Sequence, residues 1–122
     1  MAGYSTTIVN TTIPNALRQA INDMAPTAVP AAPTLSSPTN GSTLTQLPKL
    51  IWNQAAFAYS YRIQIDNNSD FSSPEVNIVT SNLWNYQVAQ SLNNGTHYWR
   101  VAGINDIGQG SFSSSFSFII SG

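Results

Sequence analysis

Residues 61–66 read Tyr-Arg-Ile-Gln-Ile-Asp, and residues 95–101 read Gly-Thr-His-Tyr-Trp-Arg-Val. In the first stretch Tyr61, Ile63 and Ile65 alternate with Arg62 and Gln64. In the second, His97, Trp99 and Val101 alternate with Tyr98 and Arg100. A period of two places one set of side chains on each face of an extended strand. Each stretch is therefore read as a β-strand with a bulky inward face and a polar outward face. Leu50-Ile51-Trp52 and residues 84–88, 97–105 and 116–120 carry the same kind of pattern. Between these runs stand Asn40-Gly41, Asn67-Asn68-Ser69, Asn93-Asn94-Gly95 and Gly108-Gln109-Gly110. Asn and Gly at such points supply the backbone conformations that tight turns need. Short strands with turn signals about every 8–12 residues predict an all-β fold, a seven-stranded antiparallel β-sandwich over residues 34–122.

Upstream of residue 34 the composition changes. Residues 26–38 hold four of the seven prolines, and residues 25–33 are read as a semi-rigid Pro/Ala-rich linker. Residues 1–24 form an arm. Thr, Ile and Val dominate residues 4–12, which suits a short strand. Residues 14–24 are expected to be helical, with Pro14 in the first turn, where its missing N–H costs nothing. Ile13, Leu17, Ala20, Ile21 and Met24 then fall on one stripe. A helix this short is marginal alone in water, so the stripe needs a surface. The expected surface belongs to another chain, because the linker holds the arm off its own body; packing on that body is the alternative.

Charge excludes several functions. Only 9 of 122 residues are charged, 4 basic and 5 acidic, while Ser, Thr, Asn and Gln together make 47. Four basic residues cannot follow a phosphate backbone, so no nucleic acid is expected as a partner. A net charge of −1 without a basic cluster argues against an anionic membrane surface. No apolar run reaches the ~18 residues that span a bilayer. The chain has no Cys, hence neither disulfide nor thiolate chemistry. Residues 1–10 show no basic segment followed by an apolar run, so no secretory signal peptide is expected.

The body resembles a fibronectin type III domain in the form common in bacterial extracellular proteins. Pro48-x-Leu50-x-Trp52 resembles the family's strand B, and Ala58-x-x-Tyr61-Arg62-Ile63-Gln64-Ile65 its strand C. Phe71 falls where the family places an aromatic after the next loop. Tyr86-x-Val88-x-x-x-Leu92 resembles strand E and its exit, and residues 95–101 resemble strand F. Asn105-x-x-Gly108 and Ser117-Phe118 resemble the F–G turn and strand G. Two positions depart from the pattern. His97 stands where the family has an aromatic residue. Gly103 stands where it has Ala, which leaves a small gap or lets a neighbouring side chain approach. The resemblance covers residues 33–120 and implies an immunoglobulin-like display module, not a particular activity.

His97 is the only histidine, and alternation turns it inward beside Trp99, as a packed, hydrogen-bonded residue. Asp66, Asn68 and Asp70 are spaced like the start of a calcium loop, but Phe71 replaces the required Gly and Asn77 the bidentate Glu. An Asn/Asp-rich turn is expected there, and no metal or other cofactor. There is no Gly-x-Ser-x-Gly elbow and no phosphate-cradling glycine loop, so no enzyme is expected. Arg62 and Gln64, with Tyr98, Arg100 and Ala102, should point outward on two strands that are neighbours in the resembled fold. Tyr and Arg are typical interface anchors, which makes Arg62, Gln64, Tyr98 and Arg100 the candidate exposed binding face. Trp84 and Phe112 are read as core or rim packing, with sugar stacking as the alternative.

A display-type body, an arm that needs a foreign surface and the lack of an export signal meet in one setting, a bacteriophage virion. The expected function is that of a non-enzymatic structural protein, a capsid decoration protein anchored by its arm. Its partners would be other virion proteins, the major capsid protein first, and further copies of itself. It would assemble in the host cytoplasm and be exposed outside after lysis. The alternative is an extracellular glycan- or protein-binding module of a larger secreted protein.

Overall fold

A computed structural model describes residues 27–122. Nine strands lie among them: β1 (Thr34–Ser37), β2 (Ser42–Leu44), β3 (Lys49–Asn53), β4 (Ser60–Asp66), β5 (Val76–Thr80), β6 (Asn85–Gln87), β7 (Gly95–Ile104), β8 (Gln109–Phe112) and β9 (Phe116–Ile120). The expected strand over 4–12, the helix over 14–24 and the stripe Ile13, Leu17, Ala20, Ile21 and Met24 lie outside the described residues.

The two stretches with the clearest alternation, β4 and β7, pair antiparallel at the centre of the larger sheet. Tyr61 stands opposite Gly103, Ile63 opposite Val101 and Ile65 opposite Trp99. That sheet runs β2-β9-β7-β4-β5, with β8 also on β7. The second sheet is β1-β3-β6. Leu50 and Trp52 of β3 face Tyr61, Ile63, Ile65, Trp99, Val101 and Phe118, and all of these are buried. The Trp52 and Tyr61 rings sit 5.3 Å apart at 58°, and Trp99 meets Phe116 edge-on at 6.2 Å. Each large side chain buried this way contributes about 1.5–3 kcal/mol from desolvation. Tyr61 also ties its hydroxyl to the preceding loop, accepting from the Ala55 N–H at 3.0 Å.

Three expectations are corrected. Nine strand segments stand where seven strands were expected, and two breaks in the chain account for the difference. The first strand pairs with β3 as β1, then changes sheets past Pro38, which has no N–H to offer, and resumes as β2. Gly41 makes that corner at φ +84°. The last position is interrupted at residues 113–115. There Ser113 folds onto Val101, with its N–H donating to the Val101 carbonyl at 2.8 Å and its hydroxyl accepting from the Val101 N–H at 3.1 Å. Nor is the sandwich wholly antiparallel, since β2 runs parallel to β9. Finally, the expected strand over 84–88 shortens to β6, and Trp84 is exposed.

Residues 28–33, read as linker, lie against the body. The Ala28 carbonyl accepts from Asn105 Nδ2 at 2.9 Å, and Pro30 and Pro33 are buried. A Cβ placed on Gly103 would come 2.9 Å from Pro30 Cβ and 3.1 Å from Ala58 Cβ. One placed on Gly110 would collide with the Pro30 carbonyl. The gap that Gly103 leaves is thus taken by a proline ring.

Candidate functional site

Alternation along β4 and β7 turns Arg62, Gln64, Tyr98 and Arg100 to the outer face, where all four are half-buried. The register sets Gln64 opposite Arg100 and Arg62 opposite Ala102. The two arginines are therefore diagonal neighbours, about 7–8 Å apart at the backbone. Ala102, expected to point to solvent, is fully buried, between Arg62 on β4 and Phe112 on β8 in the register.

Arg100 is held on three sides. Its guanidinium lies over the Phe112 ring at 3.9 Å and over the Phe71 ring at 4.2 Å. Such stacking stabilises a cation through the ring quadrupole. Its Nε and Nη2 both donate to Gln64 Oε1, at 2.9 and 2.7 Å. Burial pulls the guanidinium below the usual arginine value, though arginine stays protonated throughout the ordinary pH range. Phe71 reaches this position from a left-handed backbone, φ +56°, which a bulky residue adopts only when its surroundings enforce it. Arg62 is fixed by amides as well: Nε donates to Gln109 Oε1 and Nη1 to Asn77 Oδ1, both at 2.8 Å. Gln64 Nε2 donates to the same Asn77 oxygen at 3.4 Å.

No carboxylate among the described residues pairs with either arginine. Asp66 spends its oxygens on its own loop, Oδ1 accepting from the Asn68 N–H and Oδ2 from the Ser73 N–H, both at 3.0 Å. Asp70 accepts from the Ser72 N–H, and its hydrogen bonds to Ser72 hold its carboxyl below the usual value. Residues 66–73 are thereby closed as a turn. Among the described residues no group of three His, Asp or Glu side chains is gathered as metal ligands would be. His97 is buried against Phe118. Its Nδ1 pairs with Glu75 Oε1 at 2.8 Å, and its Nε2 donates to the Asn93 carbonyl at 2.7 Å.

Alternation brings Arg62, Gln64, Tyr98 and Arg100 onto one face but does not reveal Phe71, Phe112, Asn77 and Gln109, which complete it. Asn77 had a signal, since Val76, Ile78 and Thr80 alternate with Asn77 and Val79 in a strand absent from the expected set. Phe112 packs on the rim; Trp84 does not.

A second feature sits at one end of the sandwich. The 54–59 loop, the 105–108 turn and residues 28–30 converge there: the Tyr59 N–H donates to the Ile104 carbonyl at 2.8 Å, and Asn105 holds Ala28. Val29, Phe57, Tyr59 and Ile107 at this end are 42–56% exposed. Phe57, like Phe71, has a left-handed backbone, φ +64°.

No family model and no curated protein matches the chain. Solved structures do. An Fn3-like protein from Clostridium thermocellum is similar over 78% of this chain and 94% of its own, at 19% identity and a TM-score of 0.55. The sixth fibronectin type III domain of human fibronectin type III domain containing protein 3 matches over 80% and 94%, at 16% identity and 0.54. A part of the Streptomyces avermitilis alpha-L-rhamnosidase, crystallised with L-rhamnose, matches 76% of this chain at 13% identity and 0.55, and amounts to 10% of that enzyme. At these identities the likeness defines the fold: the body is a fibronectin type III-like sandwich.

Proposed function

We propose that the chain is a non-enzymatic structural protein in which the sandwich is displayed and its N-terminal arm attaches it, and that the assembly is a bacteriophage capsid decorated by this protein. The observation that carries the reading is the convergence at one end of the sandwich. The chain enters the body there, pinned by Asn105 and by the Pro30 ring, and Val29, Phe57, Tyr59 and Ile107 are exposed around it. Large apolar side chains gathered on a surface favour association. Four of them at the root of the arm give an attached protein a second area of contact beside the stripe of Ile13, Leu17, Ala20, Ile21 and Met24. The partners on this reading are the major capsid protein and neighbouring copies, and the location is the virion.

The test is co-sedimentation with shells assembled from a capsid protein encoded beside this chain. Wild type should bind to saturation. Leu17→Asp with Ile21→Asp should abolish binding while the β-sheet circular dichroism is kept. A gene neighbourhood without capsid or tail genes, or unchanged binding of the double variant, contradicts the reading. The second reading, an extracellular module of a larger protein, is favoured by the matched part of the rhamnosidase, a similar sandwich inside a large enzyme.

A further inference from the structure

The outer face of β4 and β7 concentrates two of the four basic residues of the chain, and among the described residues both guanidinium groups are bonded only to neutral amide oxygens. Each group has five N–H donors. Arg62 spends one on Gln109 and one on Asn77, and Arg100 spends two on Gln64, so each keeps three without an acceptor among the described residues. Phe71 and Phe112 lie against the guanidinium of Arg100, so its remaining donors point outward in its own plane. In-plane paired donors are the geometry that takes a carboxylate edge-on. The side chains are already fixed by their amide partners, so little rotamer freedom is lost on binding.

The surroundings narrow the ligand. Three carboxamides, Gln64, Asn77 and Gln109, ring the two arginines, and Tyr98 lies beside them on β7. Carboxamides recognise hydroxyl groups, and a tyrosine ring offers a flat apolar face with a polar tip. The buried core of a protein–protein interface is more apolar than its rim. Of the exposed large apolar side chains among the described residues, only Val79, opposite Arg62 on β5, belongs to this face.

We propose that the face formed by Arg62, Gln64, Arg100, Asn77, Gln109 and Tyr98 binds an acidic saccharide, a uronic acid unit whose carboxylate meets the arginines and whose hydroxyls meet the carboxamides. The proposal holds whether or not the arm attaches the chain to a particle.

The experiment is a titration of the full-length protein followed by side-chain NMR signals of arginine Nε–H and Asn/Gln NH2 groups. The probes are trigalacturonate, neutral maltotriose and pentaglutamate. Trigalacturonate should move the Arg62, Arg100, Gln64, Asn77 and Gln109 signals saturably, and added salt should weaken it. Maltotriose should bind at least about tenfold more weakly. Arg62→Gln, on the open side of the face, should weaken trigalacturonate about tenfold, and Arg100→Lys, which keeps the charge and loses the planar fork, should do the same. Both variants are to show the wild-type amide spectrum away from the face. Absence of saturable shifts with trigalacturonate, or equal binding of maltotriose, overturns the proposal. Tighter binding of pentaglutamate assigns the face to an acidic peptide and overturns the saccharide.

Discussion

Trp52 and Trp99 are both buried in the core, and neither indole N–H has an acceptor among the described residues. Their contribution is therefore packing and area, not hydrogen bonding. Trp99→Ala or Trp52→Ala should lower the unfolding free energy by roughly 3–5 kcal/mol in a urea titration, and Trp→Phe at either site by clearly less, since it keeps a ring and discards an unpaired donor. At this scale the sequence was a good guide to what alternation governs. Tyr61, Ile63, Trp99 and Val101 were legible as core, and Arg62, Gln64, Tyr98 and Arg100 as outward. It was silent on what only the third dimension assembles. Phe71 reaches Arg100 from a loop through a left-handed backbone that no residue type there announces, and Phe112 and Gln109 arrive on a separate short strand. Ala102 is buried against the expectation because alternation says which face a side chain takes, not what covers that face.

The elements obey the same division. Strands with bulky alternating residues, β4, β7 and β9, could be read directly; β2 and β8, of three and four residues, are too short to show a period. The parallel run of β2 beside β9 depends on a change of sheet that no local pattern encodes. The loop over 66–73 folds on its own donors, both Asp66 oxygens accepting backbone N–H groups. Thermal unfolding in chelator and in millimolar calcium should accordingly coincide, whereas calcium bound to the native protein would raise the midpoint by mass action. A further prediction concerns the seat of Pro30. Gly103→Ala would bring a methyl within 2.9 Å of the ring, and overpacking of this kind costs about 1–3 kcal/mol. In a Pro30→Gly background, which removes that ring, the same substitution should cost less. A double-mutant cycle by chemical denaturation measures the coupling, and additive effects would place the ring elsewhere.

For the molecule as a whole, the described residues close a core without residues 1–26. A chain of 27–122 should unfold at the full-length temperature in calorimetry if the arm's partner is another chain. Cutting six residues further, to 33–122, should lose about 1–2 kcal/mol, because it removes the Pro30 ring and the acceptor of Asn105. That same seat has a mechanical side. Tension arriving through the chain ahead of residue 27 first meets the Asn105–Ala28 hydrogen bond and then Pro30, wedged against Gly103 and Gly110 beside β7, a strand laddered to β4 on one side and to β8 and β9 on the other. Only when that wedge yields does the pull pass to β1, four residues paired along a single edge, which would otherwise peel like a zip. The proline ring is a strain relief, of the kind that keeps a cable from tearing at its plug.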